Sequence, residues 1–260
     1  MIALVSMALA TPCTEDALPQ GPLTVALQPG DLGDARSACL RSEVGLGGGA
    51  ALVVDNADFY GRIQLMGTLD GRIALPDANL SIDLGIEPFR SDSVIAPIAV
   101  GTSGLGAAWV GGTWQFQSDV DSALAVTGRV VLPTVGGSQN QRPLGADLGL
   151  VGQHRWTEKV DVHGGLMLYG NRMVGAGPSA ARTSLSGLAG VAWHPSKSFA
   201  LVLDLPVSVA WAAPVDYIAL APGVRVGAGP WALELGLMAP LVGGDRTLVA
   251  ADLRTSIRFD

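Results

Sequence analysis

Hydrophobic and polar side chains alternate with a period of two along most of the chain, most clearly between residues 57 and 75. Ile63, Leu65 and Ile73 fall on one face of this segment, whereas Arg62 and Asp70 fall on the other. Because successive side chains of a strand point to opposite faces, the alternation predicts a β-strand and not a helix. The segment exceeds the length of about five or six residues usual in soluble proteins, and it suits a tilted strand that crosses a bilayer.

The same alternation recurs along the chain, with turn residues between the repeats, and it predicts an all-β fold of twelve strands. The predicted strands cover residues 42–54, 58–75, 79–89, 103–117, 122–133, 145–156, 159–170, 183–194, 198–211, 217–227, 230–241 and 247–259. An even number is expected of a bacterial single-chain barrel. We therefore predict that residues 41–260 form a transmembrane antiparallel up-and-down β-barrel.

The predicted connections fall into two length classes that alternate along the chain. Short turns are predicted at residues 76–79, 118–121, 157–158, 195–197 and 228–229, and long loops at residues 90–102, 134–144 and 171–182. Outer-membrane barrels carry short turns on the periplasmic side and longer loops outside, so the alternation favours a barrel. Shorter loops near residues 55, 212 and 243 depart from the pattern.

The composition argues against membrane-spanning helices. Hydrophobic residues make up 48% of the chain and charged residues 15%, which is unusually apolar for a water-soluble protein. The longest charge-free stretch, residues 93–118, contains Pro97 and five glycines, so it does not predict a membrane-spanning helix. Since backbone groups must be hydrogen-bonded within lipid, a closed barrel is the remaining way to cross.

The alternation also predicts a lipid-facing surface, with apolar runs such as Leu201, Leu203 and Leu205 on one face of a strand. Aromatic residues near predicted strand ends suit an interfacial girdle; they are Trp156, Trp193, Phe199, Trp211, Trp231 and Phe259. A final strand that ends in an aromatic residue is the signal that barrel-assembly machinery reads. We therefore expect two partners, outer-membrane lipid and, through the C-terminal strand, the barrel-assembly machinery.

The opposite face carries charges of both signs, which we predict to line the lumen. These residues are Glu43, Arg62, Asp70, Arg72, Asp83, Glu87, Arg129, Asp147, Arg155, Asp161, His163, Asp204, Arg225, Glu234, Asp252, Arg254 and Arg258. They form either a polar pore that holds water or a closed interior of paired charges, and the sequence leaves both open. Twelve strands enclose more space than the roughly eight whose side chains fill a barrel, which leaves room for a narrow channel.

Residues 1–40 precede the predicted barrel. Residues 1–10 are apolar and end in Ala-Leu-Ala, which is typical of a signal peptide although a basic start is missing; an ordinary buried strand is the alternative. We predict that residues 11–40 form a periplasmic segment or a plug in the lumen, closed by a disulfide between Cys13 and Cys39. Two unpaired buried thiols, or lipid attachment at Cys13, are the alternatives.

Residue types that carry catalysis or bind metals are few. Of the three histidines, we predict that His154 faces lipid, His194 lies at a strand end, and only His163 faces inward, with Asp161 two residues away on the same face. No nucleophile accompanies that pair, so we predict no catalytic residues and no enzyme activity. Metals and cofactors are not expected, because no His or Cys cluster has ligand spacing and no glycine-rich motif precedes a helix. The net charge of −7 argues against a nucleic-acid partner.

Two short motifs resemble a known family. Residues 103–106, Ser-Gly-Leu-Gly, lead into residues 107–116 and resemble the strand that begins Gly-Leu-Gly-Asp in transporters of the phenol meta-pathway outer-membrane group. Residues 129–134, Arg-Val-Val-Leu-Pro-Thr, resemble that group's Leu-Pro-Thr-Gly strand end. Ala107 and Val135 stand where the group has aspartate and glycine. The resemblance implies a barrel for the passage of small hydrophobic compounds and supplies no catalytic residues.

These features predict a porin-like barrel in the outer membrane of a Gram-negative-type bacterium. We expect a channel or transporter for passive passage of a small-molecule solute, hydrophobic solutes included. The alternative is a structural or interaction barrel whose long extracellular loops bind partners and whose pore is closed. A third class, a soluble sandwich or ligand-binding barrel, needs a polar outer face, which the apolar alternation argues against.

Overall fold

The computed structural model describes residues 21, 23, 37–55, 60–95, 101–119, 121–132, 141–175, 181–210, 215–243 and 246–259. Within these ranges the chain is almost entirely β-strand, and the helical content is one 3-10 turn, Pro76–Ala78. No helix in the same ranges is long and apolar enough to cross a membrane. The described part of the molecule is therefore all-β, as the sequence pattern predicts.

Thirteen strand segments are described, and they make twelve crossings of the sheet. The segments are β1 (Glu43–Asp55), β2 (Tyr60–Leu75), β3 (Leu80–Ile95), β4 (Gly101–Gly104), β5 (Ala108–Ser118), β6 (Ser122–Leu132), β7 (Gln141–Thr157), β8 (Val160–Gly175), β9 (Ala181–Ser196), β10 (Phe199–Ala210), β11 (Val215–Ala228), β12 (Trp231–Gly243) and β13 (Arg246–Arg258). β4 and β5 are parts of one crossing, because both pair with β3.

The interruption between β4 and β5 corrects the predicted continuous strand 103–117. Residues 105–107 leave the regular ladder beside Glu87 of β3. The Glu87 carboxylate accepts the backbone N–H of Ala107 at 3.1 Å, and the Glu87 carbonyl accepts the N–H of Gly106 at 2.9 Å. At this point a side-chain carboxylate, and not a backbone carbonyl, accepts the backbone N–H of Ala107. Alternation alone does not reveal such an exchange, because the residues on both sides keep their strand pattern.

The sheet closes on itself. Each crossing pairs antiparallel with its neighbours in sequence, and β1 also pairs with β13. The closing ladder runs from Glu43 opposite Arg258 to Val54 opposite Arg246, with one irregularity at Leu52 and Val53. A closed sheet has no free edge and satisfies its backbone groups internally, which is the condition for β structure in lipid. The prediction of a transmembrane antiparallel up-and-down barrel of twelve strands is confirmed.

The two ends of the barrel differ. The reversals at residues 76–79, 158–159, 197–198 and 229–230, and the one next to residues 119 and 121, lie at one end, the short-turn end, together with the start of β1 and the end of β13. At the opposite end the strands run further than predicted, because β3 continues to Ile95, β7 begins at Gln141 and β8 continues to Gly175. The predicted bounds of the three long loops are therefore wrong. Polar residues there resemble loop signals, but strands that project beyond the bilayer tolerate polar side chains.

The outer face of the barrel is apolar. Outward-pointing leucines with large exposed fractions include Leu84, Leu148, Leu166, Leu203, Leu235 and Leu253. A water-soluble monomer rarely exposes so extensive an apolar surface, whereas lipid contact requires one. This face of the described barrel therefore suits contact with hydrocarbon.

Most of the exposed aromatic rings lie toward the short-turn end, whereas Phe89 lies in the opposite half of β3. Trp114, Trp156, Trp193 and Trp231 are at least 48% exposed and lie in the half of their strands nearest that end, and Phe259, directly after β13, is 44% exposed. Rings with an apolar body and a polar edge prefer the boundary between hydrocarbon and water. The rings therefore suit a bilayer boundary at the short-turn end, which is the periplasmic side in outer-membrane barrels. Trp211, also predicted for the girdle, lies outside the described residues.

A charge placed on the outer face tests this position in the bilayer. We expect Leu237→Arg, at the centre of β12, to destabilise folding into lipid vesicles by about 2–4 kcal/mol, because the guanidinium loses its hydration at the midplane. Leu241→Arg, near the long-loop end of the same strand, is the matched control and should cost about 1 kcal/mol or less. Urea titrations of folding into vesicles measure both costs. Equal costs at the two positions would contradict the assigned depth.

Candidate functional site in the barrel interior

The inner face of the barrel holds most of the charged residues predicted to point inward. Nine of them are buried: Glu43, Asp83, Glu87, Arg129, Asp147, His163, Asp204, Arg225 and Glu234. Seven more are partly buried: Asp70, Arg72, Arg155, Asp161, Asp252, Arg254 and Arg258. The side chain of Arg62 lies outside those that the structure describes. Because a buried ionised group is costly unless it is paired, the pairing of these residues decides what the interior can bind.

Ion pairs between neighbouring strands run along the inner wall. The directly opposed pairs in the strand register are Arg72 with Asp83, Arg129 with Asp147, Arg155 with Asp161, and Arg225 with Glu234. Arg129 Nε lies 3.0 Å from Asp147 Oδ2, and Arg225 Nε lies 2.6 Å from Glu234 Oε2. Opposed residues of an antiparallel pair have Cβ atoms about 5 Å apart, so each pair closes across one ladder without distorting it. The wall thereby balances much of its own charge.

One arginine reaches across an intervening strand. Arg254 of β13 lies 2.6 Å from Asp70 of β2 and 3.2 Å from Glu43 of β1, measured from Nη2 to the carboxylate oxygens. The direct path from β13 to β2 passes over Gly45 of β1, which stands opposite Asp70 in register. A Cβ on Gly45 would lie 2.5 Å from Arg254 Nη2. The missing side chain at Gly45 is therefore what lets charges two strands apart meet.

A second glycine lets a histidine and an aspartate meet in the same way. His163 of β8 and Asp204 of β10 both stand opposite Gly190 of β9. Above this glycine, His163 Nε2 and Asp204 Oδ1 lie 2.6 Å apart, with both side chains almost completely buried. A Cβ on Gly190 would overlap both groups. His163 thus contacts an acid two strands away, and not the acid that neighbours it in sequence.

His163 and Asp161 lie two residues apart on the same face of β8, but each pairs with a different group. Asp161 lies 3.0 Å from His194 Nε2 and 3.5 Å from Arg155 Nε, near the short-turn end of β7–β9. Residues two apart on one strand are separated by about 6.6 Å along it, which is further than a cross-strand neighbour. His194, expected only to lie at a strand end, therefore also points to the inner side, as its contact with Asp161 shows. His154 is exposed, and its Nδ1 forms a hydrogen bond of 2.8 Å with Ser122 Oγ.

Two residues that precede the barrel in sequence lie inside it. The N–H of Leu23 donates to Asp204 Oδ2 at 2.6 Å, and the carbonyl of Gly21 accepts from Arg225 Nη1 at 2.7 Å. The Leu23 side chain is fully buried. It belongs to a cluster with Ala51, Ala192, Val202, Ala219, Ala221, Met238 and Ala250 of the inner wall. We call Gly21, Leu23 and the groups that contact them the Leu23 anchor.

A second contact is made by residues just before β1. Ser37 Oγ donates to Gln153 Oε1 at 3.2 Å, and Gln115 Nε2 donates to the carbonyl of Ala38 at 3.0 Å. Ala38 and Cys39 are buried among inner-wall side chains of β6, β7 and β8, including Ala123 and Met167.

Cys39 is disulfide-bonded. Cys13, its predicted partner, lies outside the described residues, so that pairing stays a prediction.

Several interior residues carry no signal in the sequence alone. Gln115 and Gln153 are inward neutral residues that gain importance only through the residues they bind. Gly190 becomes recognisable once the strands are aligned, because inward charges flank it on both sides. Leu23 has no such signal, since a contact over 181 residues of sequence depends on how the whole barrel closes.

The described interior combines fixed polar groups with an apolar cluster. The part of the chain that the structure describes contains no group of three or more His, Cys, Asp or Glu side chains placed to hold a metal ion. The inner wall holds hydrogen-bond donors and acceptors that are fixed by ion pairs, and an apolar cluster lies beside them. Such a surface recognises polar and apolar parts of one molecule at the same time.

Solved structures with a similar fold are outer-membrane barrels. An outer-membrane channel from Pseudomonas putida F1 superposes with a TM-score of 0.66 at 14% identity, over 90% of this chain and 100% of that chain. The translocator domain of the autotransporter NalP from Neisseria meningitidis gives a TM-score of 0.55 at 13% identity, covering 86% and 89%. The transport unit of the autotransporter AIDA-I from Escherichia coli gives 0.55 at 14%, covering 92% and 95%. At these identities the likeness shows the fold.

No family model matches the chain, and no curated protein matches it. The resemblance to the phenol meta-pathway group is therefore unconfirmed, whereas an outer-membrane barrel is supported.

The space above Gly190 gives a test of the His163–Asp204 contact. We expect Gly190→Ala to destabilise the folded barrel by about 1–3 kcal/mol, because the added methyl group forces the paired side chains apart. Gly187→Ala, on the same strand, is the matched control, since its Cβ would meet its nearest neighbour only at 3.9 Å. Urea unfolding followed by gel mobility without boiling compares the two. A Gly190→Ala barrel as stable as the control would refute this role of Gly190.

Proposed function

We propose that the protein is a channel for the passive passage of small molecules across the outer membrane, and that residues before β1 occupy its lumen as a plug. The observation that carries the proposal is the Leu23 anchor, where Gly21 and Leu23, which precede β1 in sequence, contact the inner wall. Its described polar contacts with the wall are two hydrogen bonds, at Asp204 and Arg225. Contacts of this kind can be exchanged for contacts with a solute.

The width of the barrel supports the proposal. Eight strands give an interior that side chains can fill, whereas twelve leave additional space. The charges of the wall pair with one another along it, as Arg129 does with Asp147. Removal of the plug from such an interior would leave a lumen lined by paired charges, through which water and solutes can pass.

Solutes with hydrophobic parts fit the same interior. The Leu23 side chain lies in an apolar cluster of small side chains, most of them alanines, on the inner wall. The wall thus accommodates an aliphatic group next to its charges. Burial of such a group contributes roughly 1.5–3 kcal/mol, which is enough to favour partly hydrophobic solutes over fully polar ones.

We also propose that β13 is the strand read during assembly. It forms the closing ladder with β1, and Phe259, which follows it directly, is 44% exposed at the short-turn end. Both features support the proposal that machinery on the periplasmic side reads the C-terminal strand.

Conductance in planar bilayers tests the channel and its plug together. We expect the wild-type chain to conduct weakly, and Leu23→Ala to raise the open fraction by about tenfold or more. The physical reason is that truncation of a buried leucine costs about 2 kcal/mol or more of plug binding. Leu203→Ala removes the same side chain from the lipid face and is the matched control.

A folded Leu23→Ala barrel that never conducts would contradict the channel. A barrel that conducts equally with and without the substitution would contradict the plug. Gel mobility before and after boiling establishes that each variant is folded before it is measured.

A further inference from the structure

The Leu23 anchor has the construction of a binding site. The Leu23 isobutyl group rests against Gly223 of β11, where a Cβ would lie 2.7 Å from Leu23 Cδ1. Around it lie the small side chains of the apolar cluster, among them Ala221, which is fully buried. Small residues on adjacent strands thus leave a recess in the inner wall of the size of one branched aliphatic side chain.

The polar groups at the recess are fixed by the wall itself. Asp204 Oδ1 contacts His163 Nε2 at 2.6 Å, which leaves Oδ2 to accept the N–H of Leu23. Arg225 Nε contacts Glu234 at 2.6 Å, while Nη1 donates to the carbonyl of Gly21. Both pairs join wall residues and do not depend on the occupant. A site whose donor and acceptor are held by contacts within the wall loses less entropy on binding.

The contacts define the chemistry of the occupant. Arg225 binds a carbonyl and Asp204 binds an N–H, and in the chain these two groups are separated by one residue, Pro22. The residue that carries the N–H also carries the aliphatic side chain. A pure hydrocarbon would break both hydrogen bonds and replace neither, and a buried polar site strongly rejects such a ligand.

We propose that the Leu23 anchor is a solute-binding site for short peptides, in which a residue with a branched aliphatic side chain takes the place of Leu23. The inference rests on the proposed channel and names a solute class for it. Residues 21 and 23 act as an internal competitor. A peptide with the same carbonyl, N–H and side chain displaces them and in doing so releases this contact of the plug.

The test uses acetyl-Gly-Pro-Leu-amide, which copies residues 21–23, in calorimetric titrations of the full-length folded protein in detergent micelles. We expect Leu23→Gly to bind this peptide at least about tenfold more tightly than the wild-type chain, because the internal competitor loses its side chain. Acetyl-Gly-Pro-Gly-amide, which lacks the side chain, should bind the Leu23→Gly protein at least about tenfold more weakly. Comparing two peptides on one folded protein avoids any difference in folding.

A second variant fills the recess. Ala221→Leu combined with Leu23→Gly should abolish the preference for the leucine peptide, and gel mobility before boiling shows whether this barrel is folded. If the folded Leu23→Gly protein binds both peptides equally, or neither, the proposal is overturned.

Conductance measured separately distinguishes the two hypotheses. A barrel that conducts but does not discriminate between the peptides refutes the peptide site and leaves the channel. A barrel that binds the leucine peptide selectively but never conducts refutes the channel and leaves the site.

Discussion

The hydrogen-bonded ladder between β1 and β13 is the interaction on which the rest of the structure depends. Lipid offers no hydrogen-bond partner, so an open sheet would leave a row of unsatisfied N–H and C=O groups at each edge. The ladder from Glu43–Arg258 to Val54–Arg246 removes both edges. Once the sheet is closed, alternation assigns every residue to one of two environments, hydrocarbon outside or the lumen inside.

Closure also places charged residues inside the barrel wall. There they are partly removed from water, and each needs a partner within reach. Directly opposed positions meet this need for pairs such as Arg225 and Glu234. Where the partners are two strands apart, glycine on the strand between them opens the path, at Gly45 and at Gly190. Inward glycines therefore contribute to electrostatic pairing, and not only to bends.

The parts of the structure that follow from local rules could be predicted from the sequence. Strand positions, the number of crossings and the apolar outer face follow from the period of two, which acts over a few residues. The ends of the strands could not, because Arg90 to Ile95 have a loop-like sequence and continue β3 by pairing with other strands. The partner of His163 could not either: it is Asp204, 41 residues away, and the register of three strands determines the contact.

The interior position of Leu23 is the feature that local sequence patterns predict least, because it depends on the closed barrel. It also connects the fold with the proposed function, since the same wall groups that hold residues 21 and 23 would hold a solute. The barrel wall supplies the acceptor, the donor and the apolar recess, and residues 21 and 23 of the same chain occupy them.

The most direct test of this account is the hydrogen exchange of the Leu23 amide in the folded wild-type protein in lipid, resolved by mass spectrometry. Pro22 has no amide hydrogen, which simplifies the assignment. The account predicts exchange far slower than at the exposed turn residue Gly229, because the Leu23 N–H is buried and donates to Asp204. Exchange at Leu23 as fast as at Gly229 would contradict it.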